Sequence, residues 1–191
     1  IRKSAVKALG IVGNASVVSI LLGCLSFDES PGVRQKAAEA LGKLKDPAAR
    51  SQLLRLLKNK AEDEAVRAAV AMALGHIGTY KDVPDLISCL KDPVVTIRLY
   101  ATIALGRIRD PAASTTLQYI LKMDSDSSVR KAAARALGKI PDPTNKSTLL
   151  LSRHDKDPEV QRVVEEVLTY LSDPDPEVPV ETVIREQDDS V

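Results

Sequence analysis

Six times along this chain an apolar residue opens the same twelve-residue phrase, in which alanines, Leu-Gly and a closing aliphatic residue follow, the opening residues standing 31 to 33 positions apart. The copies are IRKSAVKALGIV from Ile1, VRQKAAEALGKL from Val33, VRAAVAMALGHI from Val66, IRLYATIALGRI from Ile97, VRKAAARALGKI from Val129 and the degraded VQRVVEEVLTYL from Val160. A fixed period of about 32 residues implies a solenoid, because one such unit cannot bury its apolar stripe alone and must stack on its neighbours.

Within the phrase the apolar places are 1, 5, 8, 9 and 12, as in Val33, Ala37, Ala40, Leu41 and Leu44. That is helical spacing with one buried stripe. Alanine at places 5 and 8 lets a neighbouring helix come close, so a large residue at Ala104 would overpack the stack. A second apolar helical segment follows each phrase across a turn rich in Asp-Pro or Gly, at residues 16–25, 47–60, 82–91, 111–122 and 145–154. Asp46-Pro47 and Asp110-Pro111 fit an N-cap with proline at the first helical place, where the missing N–H costs nothing. No segment alternates with period two for long, so strands are not expected. The reading is an all-α chain of eleven helices in five to six units. With 3% aromatic residues and no Trp, its core must be built from Ala, Val, Leu and Ile.

The net charge of +1 is unevenly spread. From Ser172 onward seven acids face a single arginine, a net of −6, which leaves +7 on residues 1–171. The domain reading is therefore a repeat body over 1–171 and an acidic, proline-containing tail over 172–191 that reads as disordered. No apolar run reaches the ~20 residues of a membrane span, and no signal peptide pattern is present. Cys24 and Cys89 fall in corresponding helices of non-adjacent units, too far apart for a disulfide. Two reduced thiols suit a cytoplasmic protein. The sequons at Asn14 and Asn145 read as coincidences.

The period, the DP-x-x-x-V-R start and the A-x-x-A-L-G-x-I core resemble HEAT repeats, more narrowly the short HEAT-like repeats named after phycobilisome lyase subunits. The likeness covers residues 1–171. It implies a right-handed α-α superhelix, an α-solenoid, with the second helix of each pair on the concave side. It also implies a ladder between neighbouring repeats from a turn Asp and an Arg six residues later: Asp28 with Arg34, Asp92 with Arg98, Asp124 with Arg130. Arg67 has Ala61 at the Asp place and Asp155 meets Gln161, so those two rungs are expected to be weaker. The first phrase would leave an uncovered apolar edge, pointing to a fragment of a longer array, whereas Glu165, Glu166 and Tyr170 make the last copy resemble a polar cap.

Places 3, 7 and 11 lie off the buried stripe and share one face. In the middle copies they hold Met72, His76, Leu99 and Ile103, with Tyr100 alongside, flanked by Arg107, Lys131, Arg135 and Lys139. An apolar centre with a basic rim suits a protein-binding groove selective for an acidic segment; tight packing against adjacent repeats is the alternative. The acidic tail could compete for that rim. The expected function is a non-enzymatic protein-interaction scaffold. The family name alone implies a second reading, accessory subunit of a bilin lyase. A third, nucleic-acid binding through Lys131, Arg135 and Lys139, lacks interleaved aromatics for base stacking. His76 and His154 have no partner at metal-ligand spacing, and the His-Glu pairs of hydroxylases built on this repeat are missing. No catalytic set, metal site or cofactor is expected.

Overall fold

The computed structural model describes residues 1–13 and 15–172. Among these there are eleven α-helices and no strand. The six phrases form α1 (Arg2–Val12), α3 (Pro31–Leu44), α5 (Glu64–Ile77), α7 (Val95–Ile108), α9 (Ser127–Lys139) and α11 (Pro158–Ser172). The intervening segments form α2 (Ala15–Phe27), α4 (Arg50–Lys58), α6 (Val83–Cys89), α8 (Ser114–Met123) and α10 (Thr144–Leu151). The acidic tail beyond Ser172 and the Asn14 sequon lie outside the described residues. The chain divides into two compact units, Ile1–Ala104 and the residues from Leu105 on, with the division falling inside α7.

Helix boundaries follow local chemistry. Asp46 accepts a hydrogen bond from the Ala48 N–H at 2.8 Å and Asp110 from Ala112 at 2.9 Å, each opening a 3-10 turn (Pro47–Ala49 and Pro111–Ala113) that runs into α4 or α8. Asp63 caps α5 through the Ala65 and Val66 N–H groups. The thirteenth place of the repeat takes the left-handed conformation at Gly13, Lys45 and Arg109, with φ of 55°, 54° and 60°. That single residue ends the helix and reverses the chain; for Lys45 and Arg109 it carries a steric cost glycine would not.

In the first unit α1, α3 and α5 lie side by side, while α2 packs on α3 and α4 on α5. In the second unit α9 packs on α11, with α8 and α10 covering them. The stripe residues are the core: Val33, Ala37, Ala40 and Leu41 are at most 4% exposed. Close approach depends on glycine at the tenth place. A β-carbon on Gly10 would lie 2.8 Å from the Ala40 methyl, and one on Gly42 or Gly106 would lie 2.8 or 2.9 Å from the α-carbon of Ala73 or Ala136. Each glycine thus receives the eighth-place alanine of the next copy, a backbone approach no side chain would permit.

Candidate functional site

The arginine at the second place does two jobs. One nitrogen binds its own turn: Arg34, Arg98 and Arg130 donate to the backbone carbonyls of Asp28, Asp92 and Asp124 at 2.8, 2.9 and 2.9 Å. Another reaches a carboxylate of the following copy. Arg34 meets Glu62 at 2.6 Å, Arg67 meets Asp92 at 2.7 Å, and Arg130 holds both Asp155 oxygens at 2.8 Å. Arg2 extends the series to Asp28 at 2.9 Å from an exposed position. Where Ala61 replaces the turn Asp, Glu62 supplies the carboxylate. Gln161 takes the place of Arg at the last turn and donates to the Asp155 carbonyl at 2.6 Å. Arg67 and Arg130 are almost wholly buried, so in these two rungs the guanidinium is taken up by contacts between copies.

Asp92 sits at the centre of one rung. Burial pushes its carboxyl pKa up, but the hydrogen bonds from Lys60, Arg67 and the Val94 N–H outweigh that and bring it to about 2. Two further buried polar links lie outside the Asp–Arg spacing. Arg50 binds both oxygens of the fully buried Asp82, 32 residues away in the chain, and Asp82 also accepts from the Thr79 N–H at 2.8 Å. Burial opposes ionisation of Asp82, yet Arg50 and Thr79 hold its pKa below the ordinary value. At the corresponding place in the second unit stands Asn145, 1% exposed, which accepts from Gln118 and donates to the Leu137 and Ile140 carbonyls. The only signal for these pairs is a polar residue at a place where sibling copies carry alanine, Ala49 and Ala113.

The nine residues expected to form a groove divide between the units. In the first, Met72, His76, Leu99 and Tyr100 are half-buried and Ile103 is buried at 8% exposure. Met72 and Tyr100 meet in a cleft of about 340 Å³ that Gln35, Glu39, Glu64 and Ala68 also line. The charges there are acidic. Glu39 is bridged to Lys36 at 2.6 Å and accepts from Gln35, while Glu64 stands in the first turn of α5. In the second unit Arg107, Lys131 and Arg135 are half-buried, and Lys139 is buried at 5% exposure. Ile103 and Lys139 therefore depart from the exposed face that four-residue spacing implies: neighbouring side chains close over them. A second cavity of about 470 Å³ opens at the turn after α9, lined by Arg109, Ile140, Asp142, Lys146 and Tyr170 among others.

His76 and His154 belong to different units, and among the described residues no three His, Cys, Asp or Glu side chains gather as a metal site would require. Neither cysteine is in a disulfide, and burial pushes the Cys89 thiol pKa up. No described helix is long and apolar enough to cross a membrane.

The HEAT-repeat pattern matches residues 1–63, 24–98 and 83–169. Phycocyanobilin lyase subunit alpha of a Nostoc species is 32% identical over 145 residues, covering 70% of this chain and 51% of that protein. Subunit beta from Thermosynechococcus vestitus is 31% identical over 126 residues, 56% of this chain and 59% of that one. Deoxyhypusine hydroxylase from Drosophila pseudoobscura is 35% identical over 82 residues, 43% of this chain and 27% of the enzyme. The chain thus spans between about a quarter and three fifths of the length of these relatives. Human deoxyhypusine hydroxylase shares the fold at a TM-score of 0.58 and 19% identity, over 90% of this chain and 79% of that one. The complex of CpcE and CpcF of phycocyanin lyase from Nostoc does so at 0.53 and 24%, over 88% and 73%. Both likenesses bear out the all-α repeat fold. The relatives overturn the expectation of a purely non-enzymatic scaffold, since they are lyase subunits and an enzyme; a repeat period declares the fold and could not separate these roles.

Proposed function

The chain belongs to the HEAT-repeat family, and from that premise we propose that it serves as an accessory subunit of a bilin lyase, acting together with a second protein subunit in the cytoplasm. One observation carries the reading. The match to a phycocyanobilin lyase subunit runs through 70% of this chain, whereas the match to the hydroxylase stops at 43%.

In this role the seams carry the architecture, and the accessible site is the cleft at Met72 and Tyr100 in the first unit. The aromatic ring and thioether give adaptable apolar contact with a partner or pigment. The test is direct. Purified chain is titrated into phycocyanobilin, with and without apo-phycocyanin, and the visible absorption of the pigment is followed. A changed band, or pigment retained on denatured phycocyanin only when the chain is present, supports the reading. A bilin spectrum that stays that of free pigment in every mixture refutes it.

A further inference from the structure

The cleft of the first unit leaves the repeat pattern at each residue that gives it its character. Place 3 carries a long side chain in every other copy (Lys3, Gln35, Leu99, Lys131 and Arg162), but in the third copy it is Ala68, and the missing bulk opens space on α5. Place 4 is Tyr100 in the fourth copy, where the others have Ser4, Lys36, Ala69, Ala132 and Val163. Met72 stands at a place that is Lys7 in the first copy and Arg135 in the fifth. Two residues before the phrase stands Glu64, where the second, fourth, fifth and sixth copies have Pro31, Val95, Ser127 and Pro158. Places 3, 4 and 7 lie off the stripe that stacks the copies, so the seam requires none of these departures.

Charge and shape then define what the cleft accepts. Its lining holds two acids, Glu39 and Glu64, and no basic residue. Lys36 reaches Glu39 at 2.6 Å, and counting it still leaves a net charge of −1. The Glu64 carboxylate is exposed and enters no ion pair among the described residues. Met72 and Tyr100 supply an apolar wall beside these acids. A pocket so composed suits a cation on an apolar stem, the stem lying along Met72 and Tyr100 and the charged head reaching the carboxylates. A ligand carrying carboxylates of its own, such as a bilin, meets repulsion there. At about 340 Å³ the cleft also stands at the small end of ligand pockets, which run from ~300 to 1,000 Å³, a size that suits one side chain better than a whole tetrapyrrole. Of the two basic side chains, arginine gives up less hydration on leaving water and presents paired N–H groups to a carboxylate.

We propose that this cleft seats an arginine side chain from a segment of a partner protein, its guanidinium paired with Glu64 beside Glu39. That the partner is the second subunit of a lyase rests on the accessory-subunit reading; the preference of the cleft for a guanidinium does not.

The full chain has two methionines, Met72 in the cleft and Met123, 62% exposed in the second unit, so NMR of methyl-labelled methionine carries its reporter and its control in one molecule. The probe is a capped peptide with a single arginine between glycines; the control peptides carry citrulline, of the same shape without the charge, or lysine. The arginine peptide should move the Met72 methyl signal saturably and leave Met123 in place. Citrulline should move neither, and lysine should bind more weakly than arginine. Glu64→Gln, an exposed change, should weaken the arginine peptide ~3-fold, as loss of a surface ion pair does. Ala68→Leu, which restores the bulk that sibling copies carry, should abolish the shift; if it lowers helicity, Glu64→Gln decides. No saturable shift of Met72, equal binding of citrulline or lysine, or binding indifferent to Glu64→Gln overturns the proposal. Two other occupants would overturn it as well: phycocyanobilin, if the pigment itself shifts Met72, and this chain's own tail, if Arg185→Gln alters the Met72 signal with no peptide present. A pigment spectrum that never changes leaves the peptide titration standing, and the reverse holds, so the two readings fail separately.

Discussion

Glycine to alanine inside a helix ordinarily stabilises, by about 1 kcal/mol, because alanine loses less backbone freedom on folding. This chain allows the same substitution at two helical glycines whose surroundings differ completely. Around Gly23 of α2 a new β-carbon meets nothing within 4 Å. At Gly42 of α3 it would stand 2.8 Å from the α-carbon and 2.9 Å from the methyl of Ala73, with the His76 ring at 3.6 Å. The near atoms at Gly42 are backbone and methyl, so relief requires α5 to move away from α3 and to loosen the seam. Overpacking of that kind costs ~1 to 3 kcal/mol, which cancels and then exceeds the propensity gain. Gly23→Ala should therefore stabilise by up to ~1 kcal/mol, and Gly42→Ala should destabilise by ~1 kcal/mol net. For a chain of this size, that separates the two variants by roughly 4 to 8 °C in melting temperature. Thermal unfolding followed by far-UV circular dichroism reads both. Shifts of the same sign would refute the claim that tenth-place glycine is selected by the facing alanine.

Asp92→Ala should cost ~3 to 5 kcal/mol, because it strands the buried Arg67 guanidinium; urea unfolding measures it. The carboxyl has a pKa of about 2 in the fold, below its unfolded value, so the stabilisation it gives is present above pH ~4 and drains away as pH falls towards 2, a change of ~2 kcal/mol that the Asp92→Ala chain should lack. Arg130→Gln breaks a bidentate pair whose partners are 2% and 9% exposed and should cost ~3 kcal/mol, whereas Arg153→Ala, from a pair about half exposed at both ends, should shift stability by less than ~0.5 kcal/mol; equal losses would deny burial its role. Ile103→Asp places a carboxylate in a position 8% exposed and should destabilise by ~2 to 4 kcal/mol; a variant with wild-type melting would show that Ile103 belongs to an accessible surface.

What could be read in the sequence is what each copy repeats. Val33, Ala37, Ala40 and Leu41 declare their helix and its buried side by spacing alone, and Asp46-Pro47 declares a start, because caps and stripes are local. The Asp–Arg spacing is local and does not carry the geometry of the pairs. Six residues back, Arg34 finds a carbonyl, and the carboxylate it pairs with is Glu62, 28 residues ahead. That distance is set by how copies stack, as are the pairing of Arg50 with Asp82 and the burial of Ile103 and Lys139, so no local pattern announces them.

The same logic explains why the seams are silent about function. Tenth-place glycine and eighth-place alanine are fixed by backbone approach, and any chain stacked in this way needs them whatever it serves. Discrimination must come from residues that leave the common pattern without being needed by it. In the first unit these are Met72 and Tyr100, set beside Glu39 and Glu64 in one cleft, where the spacing of the phrase alone pointed to a basic rim. Glu39 stands at place 7 of the second copy and Glu64 two residues before the third, so the acidic side of this cleft comes from the two copies before the one that supplies Tyr100, since a cleft between stacked helices is lined by three copies at once.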